Sequence, residues 1–314
     1  MEGFNVKLAF LYAGQGAQHV GMGRDLYEIY PAFRQVLDSA PVDFDLKKLC
    51  FDGPEDQLND TRYTQPCMVA FAAGVTALLR EAGITPDYAA GLSLGEYSAL
   101  QCAGVFDAKT AISLVAFRGQ AMADAVQGRP CGMAAVLGMD RDALKAVCSE
   151  ASDAGVVECT NFNCPGQIVI SGDAAAVDKA GELAKAAGAK RVLPLKVSGP
   201  FHTSLMAPAG DALREKFQSV DFGAMEIPVL FNCLGDLKGE ADTIPNLLEQ
   251  QVQSSVYLED TIRRLGELGV DTVVEIGPGR TLSGFVKKTV KGIKCYPVET
   301  AEELQAAIAA LRGE

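Results

Sequence analysis

The sequence has no tryptophan and, in 314 residues, two histidines. Any mechanism that needs an imidazole therefore has only His19 or His202 to draw on. No pair of its nine cysteines has C-x-x-C spacing and their number is odd, which supports neither a full disulfide framework nor a zinc cluster. Most sit beside Ala, Val or Leu and read as small buried hydrophobes. The longest apolar run, 68–79, is about twelve residues and is broken by Gly74; a membrane helix needs about twenty. The N-terminus, MEGFNVKLAFLYAGQG, lacks the basic region and long apolar stretch of a signal peptide, so a cytoplasmic, reducing location and no membrane association are expected. Basic residues are in deficit: 28 Lys+Arg against 40 Asp+Glu leave a formal charge of −12. That balance argues against sequence-independent nucleic-acid binding. There is no internal repeat and no low-complexity segment.

What is present is ordinary globular composition, 48% hydrophobic and 22% charged. The length allows two domains or one large α/β core with an insertion. Apolar run 6–12 reads as a buried strand stopping at Gly14-Gln15-Gly16. Apolar positions over 66–82 recur at helical spacing, with Pro66 placed for the first turn and Gly83 for the stop. A short strand, 88–90, runs into Gly91-Leu92-Ser93-Leu94-Gly95, followed by helices over 96–102 and 108–126. Beyond Gly128-Arg129-Pro130 the order becomes β-α-β-β-α-β: strand 133–137, helix 140–152, strands 156–160 and 167–171, helix 174–187, strand 191–197. That is the signature of a ferredoxin-like unit. Alternation then resumes with helix 206–217, strand 227–231, helices 247–251 and 262–267, strand 272–276, a Gly277-Pro278-Gly279 turn and two more helices. The expected fold is α/β, a mostly parallel sheet covered on both faces. The small subdomain occupies 128–197, and 1–127 with 198–314 form the larger core.

Gly91-Leu92-Ser93-Leu94-Gly95 fits G-x-S-x-G between a strand and a helix, the context a nucleophile elbow requires. The turn is tight, and bulk two residues either side of Ser93 would collide with neighbouring backbone. The helix beyond supplies free N–H groups and a positive dipole end. The bland alternative is a plain turn that contains serine. A serine hydroxyl needs a base. His202 follows strand 191–197 and a Gly-Pro turn, where functional groups gather at strand carboxyl ends; His19 follows a loop and reads as a surface residue. Gln15–His19 does not complete G-x-G-x-x-G, so a dinucleotide site is weakly supported.

Gly14-Gln15-Gly16-Ala17-Gln18, the 91–96 elbow, Arg118-Gly119-Gln120-Ala121-Met122, Asn161-Phe162-Asn163-Cys164-Pro165-Gly166-Gln167, Gly199-Pro200-Phe201-His202 and Glu275-Ile276-Gly277-Pro278-Gly279 occur in that order. The series closely resembles the malonyl-CoA:acyl carrier protein transacylases of fatty acid synthesis, over essentially the whole chain. The resemblance implies a hydrolase-like α/β core with an inserted ferredoxin-like subdomain. It also implies transfer of a malonyl group from malonyl-CoA to the phosphopantetheine thiol of acyl carrier protein through a malonyl-serine. On it, Ser93 is the nucleophile, His202 its base, and a Gln251 carbonyl holds the histidine, with Gln250 adjacent. The amides of Gln15 and Leu94 form the oxyanion hole, Arg118 grips the malonyl carboxylate, and Met122 and Asn163 line or brace the acyl pocket. No metal or bound cofactor is called for, the partners are carrier protein and CoA, and a monomer is expected. Three positions depart from the family: Leu92 where His usually precedes the nucleophile, Ala13 where Pro is common, and Cys164 where Ser is common.

From the residues alone, Arg118 in an apolar helix fits an anion clamp, an internal ion pair or a snorkelling surface arginine. Met122 and Asn163 fit packing equally well. A serine esterase shares the elbow, but its histidine falls late in the chain, whereas 112 residues follow His202. A non-catalytic docking subunit is opposed by the intact Ser93, His202 and Arg118. Finally, 280–294 holds Arg280, Lys287, Lys288, Lys291 and Lys294 with no Asp or Glu. It reads either as a solvated helix face or as a docking patch for an acidic carrier protein.

Overall fold

The computed structural model describes residues 6–196 and 199–313. The strands of its two main sheets are, in chain order, β1 (Leu8–Tyr12), β2 (Tyr88–Gly91), β3 (Cys131–Leu137), β4 (Val157–Cys164), β5 (Gln167–Asp173), β6 (Arg191–Pro194), β7 (Thr272–Ile276) and β8 (Lys294–Val298). The helices that frame the site are α1 (Thr61–Glu81), α2 (Gly95–Cys102), α3 (Ala108–Ala125), α4 (Arg141–Ala151), α5 (Ala174–Ala186), α6 (Ile244–Val252) and α7 (Thr281–Thr289). The chain divides into two compact units. One is Met1–Gly119 with Asp221–Phe231 and Ile262–Glu314; the other is Gln120–Val220 with Asn232–Thr261. The division falls inside α3.

In the first unit β1 is apolar and buried at every position, the composition of a strand covered on both faces. It lies inside a four-stranded sheet of order β8-β7-β1-β2 in which every pairing is parallel. Tyr12 stands opposite both Gly91 and Ile276. The loops after β1, β2 and β7 therefore leave at one level, the carboxyl edge at which open α/β sheets bind ligands. Among the described residues no helix is long and apolar enough to cross a membrane.

Several elements differ from the sequence reading. Helix α1 begins at Thr61, five residues before the expected start, because the Asp60 carboxylate accepts from Arg62 N at 3.0 Å and caps it there. Pro66 lies inside the helix rather than in a first turn of its own. It forgoes one backbone hydrogen bond, and burial of every residue over 64–76 outweighs that loss. Strand β8 is absent from the sequence reading, because Pro297 argues against a strand interior. It is tolerated because β8 is the edge of the sheet, where only one side carries a ladder. Residues 24–58, for which no element was expected, form four short helices, Arg24–Ile29, Pro31–Asp38, Leu46–Asp52 and Glu55–Leu58.

The second unit contains the expected β-α-β-β-α-β run. Its sheet has the order β4-β5-β3-β6 with every pairing antiparallel. Ala134, Val136, Ile168, Ile170 and Phe162 pack from the sheet against Leu144 and Val147 of α4 and Val177 and Ala180 of α5. Alternate strand residues thus fill one core, as the pleat demands.

This unit is larger than the expected 128–197. The added part joins through the exposed edge of β4: Phe162 N donates to Val256 O at 2.9 Å and Val256 N to Thr160 O at 2.8 Å. His202 and Gln251, assigned from sequence to the larger core, consequently belong with β4. The expected strand 191–197 ends at Pro194; residues 197 and 198 lie outside the described part.

The tightest packing in the first unit is backbone against backbone. A Cβ on Gly91 would lie 2.1 Å from Gly95 C, and one on Gly95 would lie 2.2 Å from Tyr12 O. Gly284, in the interior of α7, has open space around the same position. Denaturant unfolding should therefore separate them. Gly95→Ala is expected to lose about 3 kcal/mol or more, and Gly284→Ala to gain about 0.5–1 kcal/mol.

Candidate active site

Strand β2 ends at Gly91 and α2 starts at Gly95, so the chain reverses character within three residues. The turn is possible because Ser93 adopts φ +52°. Apart from glycines, Ser93 and His202 are the only described residues with positive φ. Such a conformation costs on the order of 1–3 kcal/mol and persists where surroundings over-determine it. Here Gly95 N bonds to Leu92 O at 2.9 Å and Glu96 N to Ser93 O at 3.1 Å, closing the first turn of α2 under the serine. The loop after β1 comes equally close: a Cβ on Gly14 would lie 2.4 Å from Leu92 O. That loop is held by its glutamines, Gln15 Nε2 donating to Thr61 Oγ1 at 2.9 Å and Gln18 Oε1 accepting from Gly16 N at 2.7 Å. The main-chain N–H groups of Gln15 and Leu94 donate to no acceptor among the described residues. Both amides are thus available to an acceptor from outside these loops.

Arg118, on α3, is 1% exposed. Its Nη2 donates to Ser93 Oγ at 3.3 Å and its Nη1 to Gln65 Oε1 at 3.0 Å. The guanidinium also lies 5.3 Å from the centre of the Tyr97 ring. Burial pushes its pKa below the ordinary guanidinium value, while Tyr97 and the wholly buried Glu96 pull it back. The internal-pair reading of Arg118 thus finds a counter-charge in Glu96, and the anion-clamp reading finds a donor at the serine. Gln65 is a residue the sequence reading missed. Its only signal was a carboxamide beside Pro66, just before the apolar run 68–79.

In the second unit His202 is 3% exposed, with φ +63°. Its Nδ1 lies 2.8 Å from Gln251 O. A carbonyl only accepts, so Nδ1 carries the hydrogen, and the neutral ring keeps its lone pair on Nε2. Gln251 sits in the last turn of α6, where carbonyls lack helical partners and are free to bond elsewhere. The adjacent Gln250 O is already taken by Gln253 N at 3.2 Å and Ser254 Oγ at 2.8 Å. Gln251 Nε2 reaches Asn232 Oδ1 at 3.5 Å.

Ser93, Gln15, Leu94 and Arg118 are brought together in the first unit; His202, Gln251, Met122 and Asn163 belong to the second. Met122 is buried on α3, and Asn163 is buried on β4 with its Oδ1 unbonded among the described residues. His19 is exposed and bonded through Nε2 to Glu299. Burial opposes a charge on it, but Glu299 outweighs that and raises its pKa. The basic segment does not form one helix face. Arg280 is drawn into an ion pair with Glu303 at 2.7 Å. Lys287 and Lys288 are exposed at the end of α7, Lys291 is exposed beyond it, and Lys294 opens β8. Helix α7 itself is fixed by the buried Glu275 carboxylate, which accepts from Leu282 N at 2.9 Å and Ser283 N at 2.7 Å. Among the described residues, no group of three or more His, Cys, Asp or Glu is arranged to hold a metal ion.

The acyl transferase domain family matches residues 9–309. Over 311 residues the chain is 44% identical to the malonyl CoA-acyl carrier protein transacylase of Bacillus subtilis, covering 98% of each. The crystal structure of the transacylase of that name from Clostridium perfringens superposes with TM-score 0.94 at 38% identity, over 98% of each chain. A malonyl-transacylase solved in complex with its holo type II PKS acyl-carrier protein matches at TM-score 0.93 and 39% identity, over 98% of this chain and 100% of that one. The chain belongs to the acyl transferase family, among its malonyl CoA-acyl carrier protein transacylases.

Proposed function

We propose that Ser93, His202 and Arg118 carry the malonyl transfer of this family, from malonyl-CoA to acyl carrier protein. His202 Nε2 takes the Ser93 proton while Oγ bonds to the thioester carbon. Charge on the carbonyl oxygen is held by the amides of Gln15 and Leu94, each contributing about 3–4 kcal/mol. The C–S bond breaks, CoA leaves as thiolate, and the imidazolium returns the proton to it. The phosphopantetheine thiol of carrier protein then gives its proton to His202 and attacks the malonyl-serine ester. Ser93 Oγ leaves and recovers the proton. Both steps balance without a bound cofactor, malonyl-CoA being the substrate.

The observation that carries this reading is the 3.3 Å contact between Arg118 Nη2 and Ser93 Oγ. A guanidinium at the nucleophile has no use in cleaving a neutral ester. It suits an acyl group with a free carboxylate two carbons along, which a planar fork can grip through two parallel bonds. Gln65 positions the fork, Gln251 the base, and Met122 and Asn163 bound the acyl pocket. For the carrier protein, typically acidic, we assign docking to Lys287, Lys288, Lys291 and Lys294. Arg280 contributes little, being neutralised by Glu303.

Intact mass after incubation with malonyl-CoA should show one added malonyl group on the parent protein. Neither Ser93→Ala nor His202→Ala should show it, and normal labelling of either sinks the mechanism. Arg118→Ala should lower kcat/KM for malonyl-CoA about 10- to 100-fold, from the ~1.5–3 kcal/mol of a charged hydrogen bond, with acetyl-CoA less affected. An unchanged malonyl/acetyl ratio would remove the clamp. The double reversal Lys287→Glu, Lys288→Glu should raise KM for carrier protein several-fold and flatten its salt dependence. A KM and salt slope equal to the parent's would clear these lysines of docking.

A further inference from the structure

His202 holds a left-handed backbone conformation that a residue with a Cβ keeps only under restraint. The Gln251 carbonyl restrains its ring. A second restraint acts on the backbone two residues later. Ser204 N lies 3.2 and 3.3 Å from the two carboxylate oxygens of Glu158, and Ser204 Oγ donates to the same carboxylate. Between them Thr203 Oγ1 donates to Pro200 O at 2.6 Å and accepts from Leu205 N at 3.3 Å. The loop from Pro200 to Leu205 is therefore bonded on both sides of the histidine.

Glu158 stands on β4, half-buried, and β4 is bonded to the stretch that leaves α6. Ser255 Oγ donates to Cys159 O at 2.8 Å and Val256 N to Thr160 O at 2.8 Å. The two restraints thus share one frame. A closed circuit runs from the His202 ring to Gln251, along four residues to Ser255, across to β4 and Glu158, then through Ser204 back to His202. We propose that Glu158 is a positioning residue for His202; this rests on His202 being the base. Its carboxylate fixes the loop so that Nδ1 stays on the Gln251 carbonyl and Nε2 keeps its lone pair for the serine proton. A carboxylate suits the task because it accepts from an N–H and an O–H at once. A carboxamide keeps one acceptor, and alanine keeps none.

The test uses the full chain carrying His19→Gln, which leaves His202 as its sole imidazole. Rates are those of Ser93 malonylation by malonyl-CoA, normalised to the titratable serine, and the ring is read by nitrogen NMR. Glu158→Ala should lower the rate constant roughly 10- to 100-fold, the scale of a base misplaced by about 1 Å, with KM within about two-fold. The Nδ1–H signal should broaden or vanish. Glu158→Gln should fall between. Ser204→Ala, which removes the Oγ bond but keeps the Ser204 N–H on the carboxylate, should cost less than Glu158→Ala, and the double variant no more than Glu158→Ala alone, because both act on the same link. A Glu158→Ala protein with the parent's rate per active serine and an intact Nδ1–H signal overturns the proposal, even if its Tm is lower. His202→Ala runs alongside. If it still malonylates, the reading of His202 as base fails; if it is dead while Glu158→Ala is normal, only the role of Glu158 fails.

Discussion

The first unit is organised by the crowding of three backbone segments beneath Ser93. Gly91 approaches Gly95, Gly95 approaches Tyr12, and Gly14 approaches Leu92, each so closely that a single methyl would overlap main-chain atoms. The crowding does three things. It makes the serine the apex of a turn with φ +52°, it leaves the Leu94 amide, just before α2, without an acceptor among the described residues, and it brings the loop carrying Gln15 alongside. The register of β1 with β2 and β7 makes this possible, since Tyr12 stands level with Gly91 and Ile276. An elbow so constrained has little freedom to relax, so its strain is stored rather than released.

The second unit meets a different demand, that of orienting an imidazole rather than exposing a hydroxyl. It does so with helix-end chemistry. The last carbonyls of α6 have no helical partner, and the one on Gln251 is matched by His202 Nδ1 at 2.8 Å. The same helix leads within four residues to the edge of β4, so the acceptor for the ring is braced by a sheet whose core is packed on Phe162, Ile168 and Ile170. A loop carrying strain at φ +63° is thus attached to the sheet that carries the core of its unit.

Much of this was legible in the residues. The strand-turn-helix around Ser93 was readable because glycines at both ends of a pentapeptide leave few conformations open. The ferredoxin-like run was readable because its apolar periodicity switches between two and 3.6. What escaped was long-range. The pairing of Val256 with the edge of β4 leaves no local trace, so the second unit was drawn too small, and His202 and Gln251 were assigned away from it. Strand β8 was hidden by Pro297, whose penalty depends on whether a strand is central or at an edge, which only the assembled sheet decides. The start of α1 was hidden by Pro66, since a proline compatible with a first turn is also tolerated deeper in a helix whose burial compensates. Gln65 was invisible for a related reason: its partner, Arg118, is 53 residues away.

The contact between Arg118 and Ser93 has a consequence for the enzyme before any acyl group arrives. A donor resting on Oγ engages one of its two lone pairs, so with Ser93 as the proposed nucleophile the resting hydroxyl would be less reactive toward water and toward stray thioesters. At 3.3 Å the bond is long and easily surrendered. A carboxylate is the stronger acceptor, and the malonyl group brings one. On the proposed reading, its binding would draw the guanidinium away from Ser93 Oγ. If Arg118 grips the malonyl carboxylate as proposed, the side chain that recognises the cargo is also the catch on the nucleophile, released by the cargo's own charge.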